Sequence, residues 1–559
     1  VTTLDSAKAW LEQDPDPVTR AELDALIPAA EGGDAAAMDA LRDRFDTRLA
    51  FGTAGLRGEL GAGPNRMNRV LVAQAATGFA RWLLDRDENA SVVIGYDGRV
   101  NSDVFARDSA ELMAGAGVRV VLLPRMLPTP VLAFAVRHLE LSAGIMVTAS
   151  HNPPRDNGYK VYLGGRDGGS QIVAPADEAI HAAILAVADT ATVADLPRST
   201  HYETADESVI DAYIAHTAAL VTHTPESAVI DPVRFVYTAL HGVGWEVSQR
   251  VFRDAGLGEP VVVAEQIAPD GAFPTVAFPN PEEPGAMDLA FATARAAGAE
   301  LIIANDPDAD RLAVAIPDDS TADGWRRLSG NEVGALLGWR AAERLGREER
   351  QAKFAASLVS SPALSAVAAA YGISYSDTLT GFKWISRVGG LGYGFEEALG
   401  YLVDPDKVRD KDGISAAVDF LALAGELKAA GRTLAQHQRD FDERFGAFAS
   451  AQVSLRVTDL SRIGAIMAAL RDNPPSEIGG ERVSQVDDFI DGFGVFPPGD
   501  ILRFWMLDGS RVIVRPSGTE PKVKVYIDAS SDIGSVDERR ASAAARVAAL
   551  EAGMRALIV

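Results

Sequence analysis

At 559 residues the chain is longer than one hydrophobic core usually organises, and at about 100–200 residues per domain it predicts three or four domains. Hydrophobic residues make up 47 % and charged residues 23 %, the make-up of a folded globular protein, so disorder, collagen and coiled coil are excluded for the whole. Acids outnumber bases 78 to 53, a formal net charge of −25. That field repels nucleic acid and anionic membrane surfaces, so neither is expected as a partner, and an anionic ligand needs local basic groups to bind.

The chain has no cysteine, which removes disulfides, thiolate metal sites and cysteine nucleophiles. The first thirty residues carry six acids and no basic lead into an apolar run, so no signal peptide is expected there. Apolar stretches are short and interrupted by Gly or charge, and a cytoplasmic location is the expectation.

In chain order, the stretch to Phe51 has the amphipathic spacing of helix. A loop rich in Gly, Arg and Asn follows, FGTAGLRGELGAGPNRMN, and then a helical pattern, LVAQAATGFARWLLD. SVVIGYD predicts a buried strand ending at Asp97, FARDSAELMAGAG a helix, and VRVVLL and GIMVTAS further strands, the last ending at Ser150. The alternation defines an α/β class. It resumes with RFVYTAL at 234–240, EPVVVAE at 259–265 and LIIAND at 301–306, and again from KFAASLVSS through a strand near Ile373 to LGYGFEEALGY. The last hundred residues differ: AQVSLRVTD, DILRFWML and RVIVRPSGTEPKVKVYIDA, followed by an alanine-rich helix, predict a small antiparallel α+β domain. The expected organisation is therefore three consecutive α/β mixed-sheet domains, 1–205, 206–325 and 326–445, plus a C-terminal α+β domain, 446–559.

Four segments carry chemistry. In TASHNPPRDNGYKVY an apolar strand delivers Ser150 into a segment that Pro153 and Pro154 keep from becoming helix, with His151 and Lys160 as proton-transfer and anion-binding groups. A serine hydroxyl is a weak nucleophile unless a base or metal activates it, and a polar turn alone would look similar. In NDPDADRLAVA, Asp306, Asp308 and Asp310 recur at every second position after an apolar run. In extended chain their carboxylates would share one side. Oxygen-only donors favour a hard ion such as Mg²⁺, where a solvated acidic turn is the plain alternative. GFEEALGY offers Glu396 and Glu397 to vicinal sugar hydroxyls, with TGFKW (Thr380, Gly381, Lys383) and RDKDG (Lys411) supplying hydroxyl and basic groups. RPSGTEPKVKVY offers Arg515, Ser517, Thr519 and the amide of Gly518 as a phosphate cradle, unless Gly and Pro merely turn a hairpin.

Together, in this order, and with the loop FGTAGLRG, these motifs resemble the α-D-phosphohexomutases, the phosphoglucomutases and phosphomannomutases. The resemblance covers nearly the whole chain and implies four domains around a central cleft. It implies that Ser150 carries a phosphoryl group and completes a Mg²⁺ shell with Asp306, Asp308 and Asp310. Arg57 and Arg311 would steady the transferring phosphoryl group, and Lys160 and His151 would handle the proton. Thr380, Glu396 and Lys411 match sugar-binding positions, and Arg515, Ser517 and Thr519 the site of the non-reacting phosphate. The implied reaction moves phosphate between C1 and C6 of a sugar, glucose first and mannose second. It passes through a phosphoserine and a sugar 1,6-bisphosphate such as glucose 1,6-bisphosphate, the activator and intermediate.

Two positions depart from the family pattern: Ala398 stands where many members carry Ser, and Phe382 where some bacterial members carry His. The alternatives are a phosphopentomutase or a sugar-bisphosphate synthase on the same site, then a metal-dependent phosphatase or a non-catalytic sugar-phosphate-binding protein. The expected partners are small sugar phosphates, with the chain a monomer or homodimer.

Overall fold

Polar caps decide where the N-terminal helices begin. Thr2 and Asp5 form a capping box on Thr3–Gln13, Asp16 accepts from the Val18 amide with Pro17 in the first turn of Pro17–Glu31, and Asp34 caps Ala35–Phe45. The helical stretch predicted to Phe51 is thus three helices, interrupted at Pro15–Asp16 and at Gly32–Gly33, where Gly33 takes a φ of 91°. This computed structural model describes the whole chain except residues 1, 53–54, 224–229, 458, 460, 518–521 and 559. Two compact units result, Val1–Leu328 with Gly400–Gly425, and Ser329–Leu399 with Glu426–Val559.

The first unit holds two mixed sheets. In the first, Ser91–Tyr96 runs parallel to Arg119–Leu122 and Ala143–Val147, and Asp156–Leu163 turns back antiparallel beside Ala143–Val147, with Leu56–Glu59 outside it. The helix Arg69–Leu84 is apolar almost all round and correspondingly buried. In the second sheet, Leu301–Asn305 runs parallel to Phe235–Thr238 and antiparallel to Leu312–Pro317. In both sheets a parallel strand ends in a candidate site loop, after Val147 and after Asn305. These are the carboxyl ends of strands, where open α/β sheets bind ligands.

Residues 400–425 group with the first unit. A buried polar network is the physical reason. Asp412 accepts from the Tyr213 hydroxyl at 2.9 Å, and Lys407 Nζ lies 2.9 Å from Asp412 and 2.7 Å from Thr217 Oγ1. Asp410 accepts from Tyr162 at 2.9 Å and Gln171 at 2.7 Å. Pulled apart, each of these groups would be a buried polar atom without its partner.

In the second unit, Lys353–Ser357 is parallel to both Ser374–Thr378 and Leu391–Glu396. The C-terminal part is an antiparallel sheet in the order Ala447–Arg456, Lys522–Ser531, Arg511–Pro516, Leu502–Met506, Glu481–Asp488, Glu477–Ile478. Alternate apolar residues such as Val512, Val514, Val523 and Val525 pack under the helix Val536–Ile558. The α/β and α+β classes read from the sequence are those of the structure.

Candidate active site

Ser150 follows the strand Ala143–Val147 in the left-handed region, φ 52°, which costs a non-glycine residue roughly 1–2 kcal/mol. Its amide donates to Thr148 Oγ1 at 2.8 Å, and Thr148 Oγ1 donates to Asp97 Oδ2 at 2.6 Å. Ser150 Oγ lies 2.8 Å from Asp306 Oδ2 and 3.2 Å from His151 Nδ1.

Asp306, Asp308 and Asp310 are buried, and one carboxylate oxygen from each lies within 4.8 Å of the others. They do not converge by the strand alternation that their spacing predicted. The strand stops at Asn305, and 306–310 form a turn in which the Ala309 amide donates to the Asp306 carbonyl at 2.8 Å and Ala309 takes a φ of 55°. Each like-charged pair at such a distance costs about 3–4 kcal/mol at an effective dielectric of about 20, so cations must answer them. Lys160 Nζ sits 2.6 Å from both Asp308 Oδ2 and Asp310 Oδ2, and Lys411 Nζ is 3.0 Å from Asp310 Oδ2. The Arg311 amide donates to Asp306 Oδ1 at 2.9 Å. Arg57 donates to Asn152 Oδ1 at 3.1 Å, on the serine loop.

Titration follows from this crowd. Burial, then Asp310 and Asp308, push the Asp306 carboxyl well above its ordinary value. Burial pushes Asp308 and Asp310 the same way, and Asp310 adds to it on Asp308, but Lys160 with Thr129 on Asp308, and Lys160, Lys411 and Arg311 on Asp310, together bring both below their ordinary values. Burial, then Arg311 and Arg57, push the His151 imidazole far down, so it is neutral at pH 7.

The trio fits a divalent cation. Asp308 Oδ1 and Asp310 Oδ1 are buried with no hydrogen-bond partner among the described residues, and every donor is a hard carboxylate oxygen. Gly413 closes the cluster from behind: a Cβ there would come within 2.3 Å of the Arg311 carbonyl.

In the second unit, Arg515 Nη1 donates to Thr380 Oγ1 at 2.9 Å, bringing the TGFKW and RPSGT segments together. Gly381 adopts a φ of 107°, and Lys383 lies on the short helix Phe382–Ile385. Phe382 is buried there and presents no polar group in place of histidine. Glu397 accepts from Ser360 Oγ at 2.7 Å, and burial raises its pKa. The Ser517 amide donates to the Lys522 carbonyl at 2.8 Å. Gly518 and Thr519 lie outside the described residues.

Two residues of the site carried no sequence signal. Thr129, at the start of Thr129–His138, donates to Asp308 Oδ2 at 2.5 Å, and Asp97 ends the strand beside the serine loop. Each is one common residue at the end of a regular element, far along the chain from what it touches.

A serine thus stands against a buried carboxylate trio and two lysines at the carboxyl ends of two α/β sheets. Residues 48–190, 211–319 and 329–444 match the phosphoglucomutase/phosphomannomutase alpha/beta/alpha domains I, II and III, and residues 453–545 match the C-terminal domain. The chain belongs to the phosphoglucomutase/phosphomannomutase family, and it is an isomerase of the phosphomutase type. A probable phosphomannomutase of Haemophilus influenzae is 57 % identical, over 83 % of this chain and 93 % of that protein. A phosphopentomutase of Mus musculus is 36 % identical over 94 % and 90 % of the two chains, and a phosphoglucomutase of Staphylococcus aureus 34 % over 87 % and 90 %. The crystal structure of a putative phosphomannomutase from Thermus thermophilus aligns with a TM-score of 0.68 at 25 % identity, covering 92 % of this chain and 99 % of that one.

Proposed function

We propose that the protein interconverts hexose 1-phosphate and hexose 6-phosphate, with glucose and mannose phosphates as substrates, through a phosphoserine at Ser150 and a hexose 1,6-bisphosphate. The observation that carries this reading is Ser150 Oγ at 2.8 Å from Asp306 within the cation-ready trio. In the first half-reaction the bond from phosphorus to Ser150 Oγ breaks and one forms to the sugar O6, whose proton leaves. His151, whose Nδ1 lies 3.2 Å from Ser150 Oγ, and Lys160 are the groups proposed to handle that proton. The bisphosphate then presents its other end: the bond from phosphorus to O1 breaks, phosphate returns to Ser150, and O1 takes up a proton.

Asp306, Asp308 and Asp310, with the Ser150 oxygen, would hold Mg²⁺, which supplies charge neutralisation at the transferring phosphoryl group. Lys160 and Lys411 hold the trio's negative charge in place, while Arg57 and Arg311 add positive charge beside the serine loop. In the second unit, Arg515, Ser517 and Thr519 would bind the phosphate that does not react, and Thr380, Glu396 and Lys383 the sugar. Hexose 1,6-bisphosphate would restore phosphate to any Ser150 that has lost it.

The hexose preference is supported by the 57 % identity to a probable phosphomannomutase, against 36 % to a phosphopentomutase. Coupled assays on glucose, mannose, glucosamine, ribose and deoxyribose 1-phosphates test it. Turnover on a hexose at least about tenfold above either pentose is expected, a difference of about 1.4 kcal/mol in transition-state binding. The reverse order would make the protein a phosphopentomutase.

A further inference from the structure

We propose that Arg99 is the positioning residue of the serine loop, a side-chain clamp that fixes the backbone from which Ser150 reacts; this rests on the phosphoserine reading above. The residue is 4 % exposed. Its Nη2 donates to the carbonyls of Ser150 and Asn152, both at 2.6 Å, and its Nη1 to those of Pro153 at 2.8 Å and Asp156 at 3.0 Å. One guanidinium therefore gathers four backbone acceptors of a loop that Pro153 and Pro154 keep out of helix. The Ser150 carbonyl is buried and the other three are part-buried, and this loop lies between strands, so a side chain supplies their partner.

Arg99 is itself held on three sides. Its amide donates to Asp97 Oδ1 at 3.0 Å, its Nε lies 3.7 Å from Asp97 Oδ2, and its guanidinium stacks 4.9 Å from the Phe273 ring. Asp97 in turn accepts from Thr148 Oγ1, the group that receives the Ser150 amide. Both backbone ends of Ser150 are thus tied through one Asp97–Arg99 unit, which holds the residue in its left-handed conformation and aims Oγ at Asp306. A planar fork with five N–H groups can span four acceptors, whereas a lysine ammonium concentrates its donors at one point. No reacting atom touches Arg99 in this arrangement. It acts through the loop, where a displacement of about 1 Å from the in-line position is enough to cost about a hundredfold in rate.

The test compares intact wild-type protein with Arg99→Lys and Arg99→Ala by amide hydrogen exchange over 150–156, thermal melting, and kcat and KM for a hexose 1-phosphate. Expected for both variants is a lowered Tm, because buried Asp97 and the loop carbonyls lose a partner, and exchange over 150–156 about tenfold or more faster than any change in the core strands accounts for. The expected kinetic effect is a kcat about a hundredfold lower, with KM within about threefold. Added methylguanidinium should restore activity to Arg99→Ala and not to Arg99→Lys, whose ammonium fills the space. If Arg99→Ala does not fold, Arg99→Lys, which keeps the charge and most of the stem, decides the matter alone. Unchanged exchange over 150–156, or a loosened loop with unchanged kcat, overturns the clamp. A wild-type protein that turns over no sugar phosphate overturns the proposed function instead, and the exchange comparison still decides whether Arg99 holds the loop.

Discussion

Ser150 Oγ and Asp306 Oδ2 lie 2.8 Å apart across 156 positions of chain. One residue leaves the strand Ala143–Val147 and the other the strand Leu301–Asn305, so a single hydrogen bond joins the carboxyl ends of two sheets. The nucleophile comes from one α/β layer and the cation-ready carboxylates from the next. Neither sheet alone contains the chemistry.

On the proposed Mg²⁺ site, Asp308→Asn should damage turnover more than folding. It relieves repulsion within the trio but weakens the buried contact with Lys160, which holds the Asp308 carboxyl below its ordinary value, so Tm should fall modestly with the fold retained. Activity should fall at least about a hundredfold, with more Mg²⁺ needed for half-maximal rate. Kinetics across a Mg²⁺ titration, with a chelator control, check this. Full wild-type activity in excess chelator would contradict it.

Arg515 hydrogen bonds to Thr380 and is assigned to the non-reacting phosphate. A charge-assisted hydrogen bond is worth about 1.5–3 kcal/mol, so Arg515→Ala should raise KM about 10–100-fold for hexose 1- and 6-phosphates alike. Arg515→Lys should recover part of the loss, since charge is kept and the fork is not. Initial-rate kinetics in both directions are the measurement.

His437 gives the second unit a pH dependence. Its ring stacks on Trp339 at 4.4 Å, and burial, then Arg432 and Arg340, bring its pKa down from 6.5 to about 4. The unfolded chain therefore takes up the proton first. Stability is full above pH 6.5, is lost as pH falls from there, and levels off below about 4, a loss of at most about 3 kcal/mol. Denaturant melts from pH 4 to 8 should show His437→Gln losing less stability than wild type over that interval. Parallel curves would contradict the assignment.

The serine and aspartate motifs were legible because each is a local string whose residue types already name the chemistry. Their geometry was less so. The trio is assembled by a turn with Ala309 in a left-handed conformation, where regular alternation predicted extended chain. Thr129, Asp97 and Arg99 left no trace in the sequence, because each is one common residue whose role comes from a partner about 50 to 180 positions away. The placement of 400–425 was equally hidden. It depends on the Lys407–Asp412–Tyr213 network, which forms only when a loop and a distant helix meet. The breaks at Pro15 and Gly32–Gly33 were visible as residues, but amphipathic spacing marked the stretch as helical without dividing it.

The central claim is that phosphate passes through Ser150, and mass spectrometry of the loaded protein tests it most directly. After incubation with hexose 1,6-bisphosphate and Mg²⁺, the Ser150 peptide should carry roughly 80 Da more, the mass of one phosphoryl group. Adding excess hexose monophosphate should discharge that label into bisphosphate, and Ser150→Ala should neither take the label nor turn over. Mutase turnover by a protein whose Ser150 peptide never carries phosphate would contradict the account.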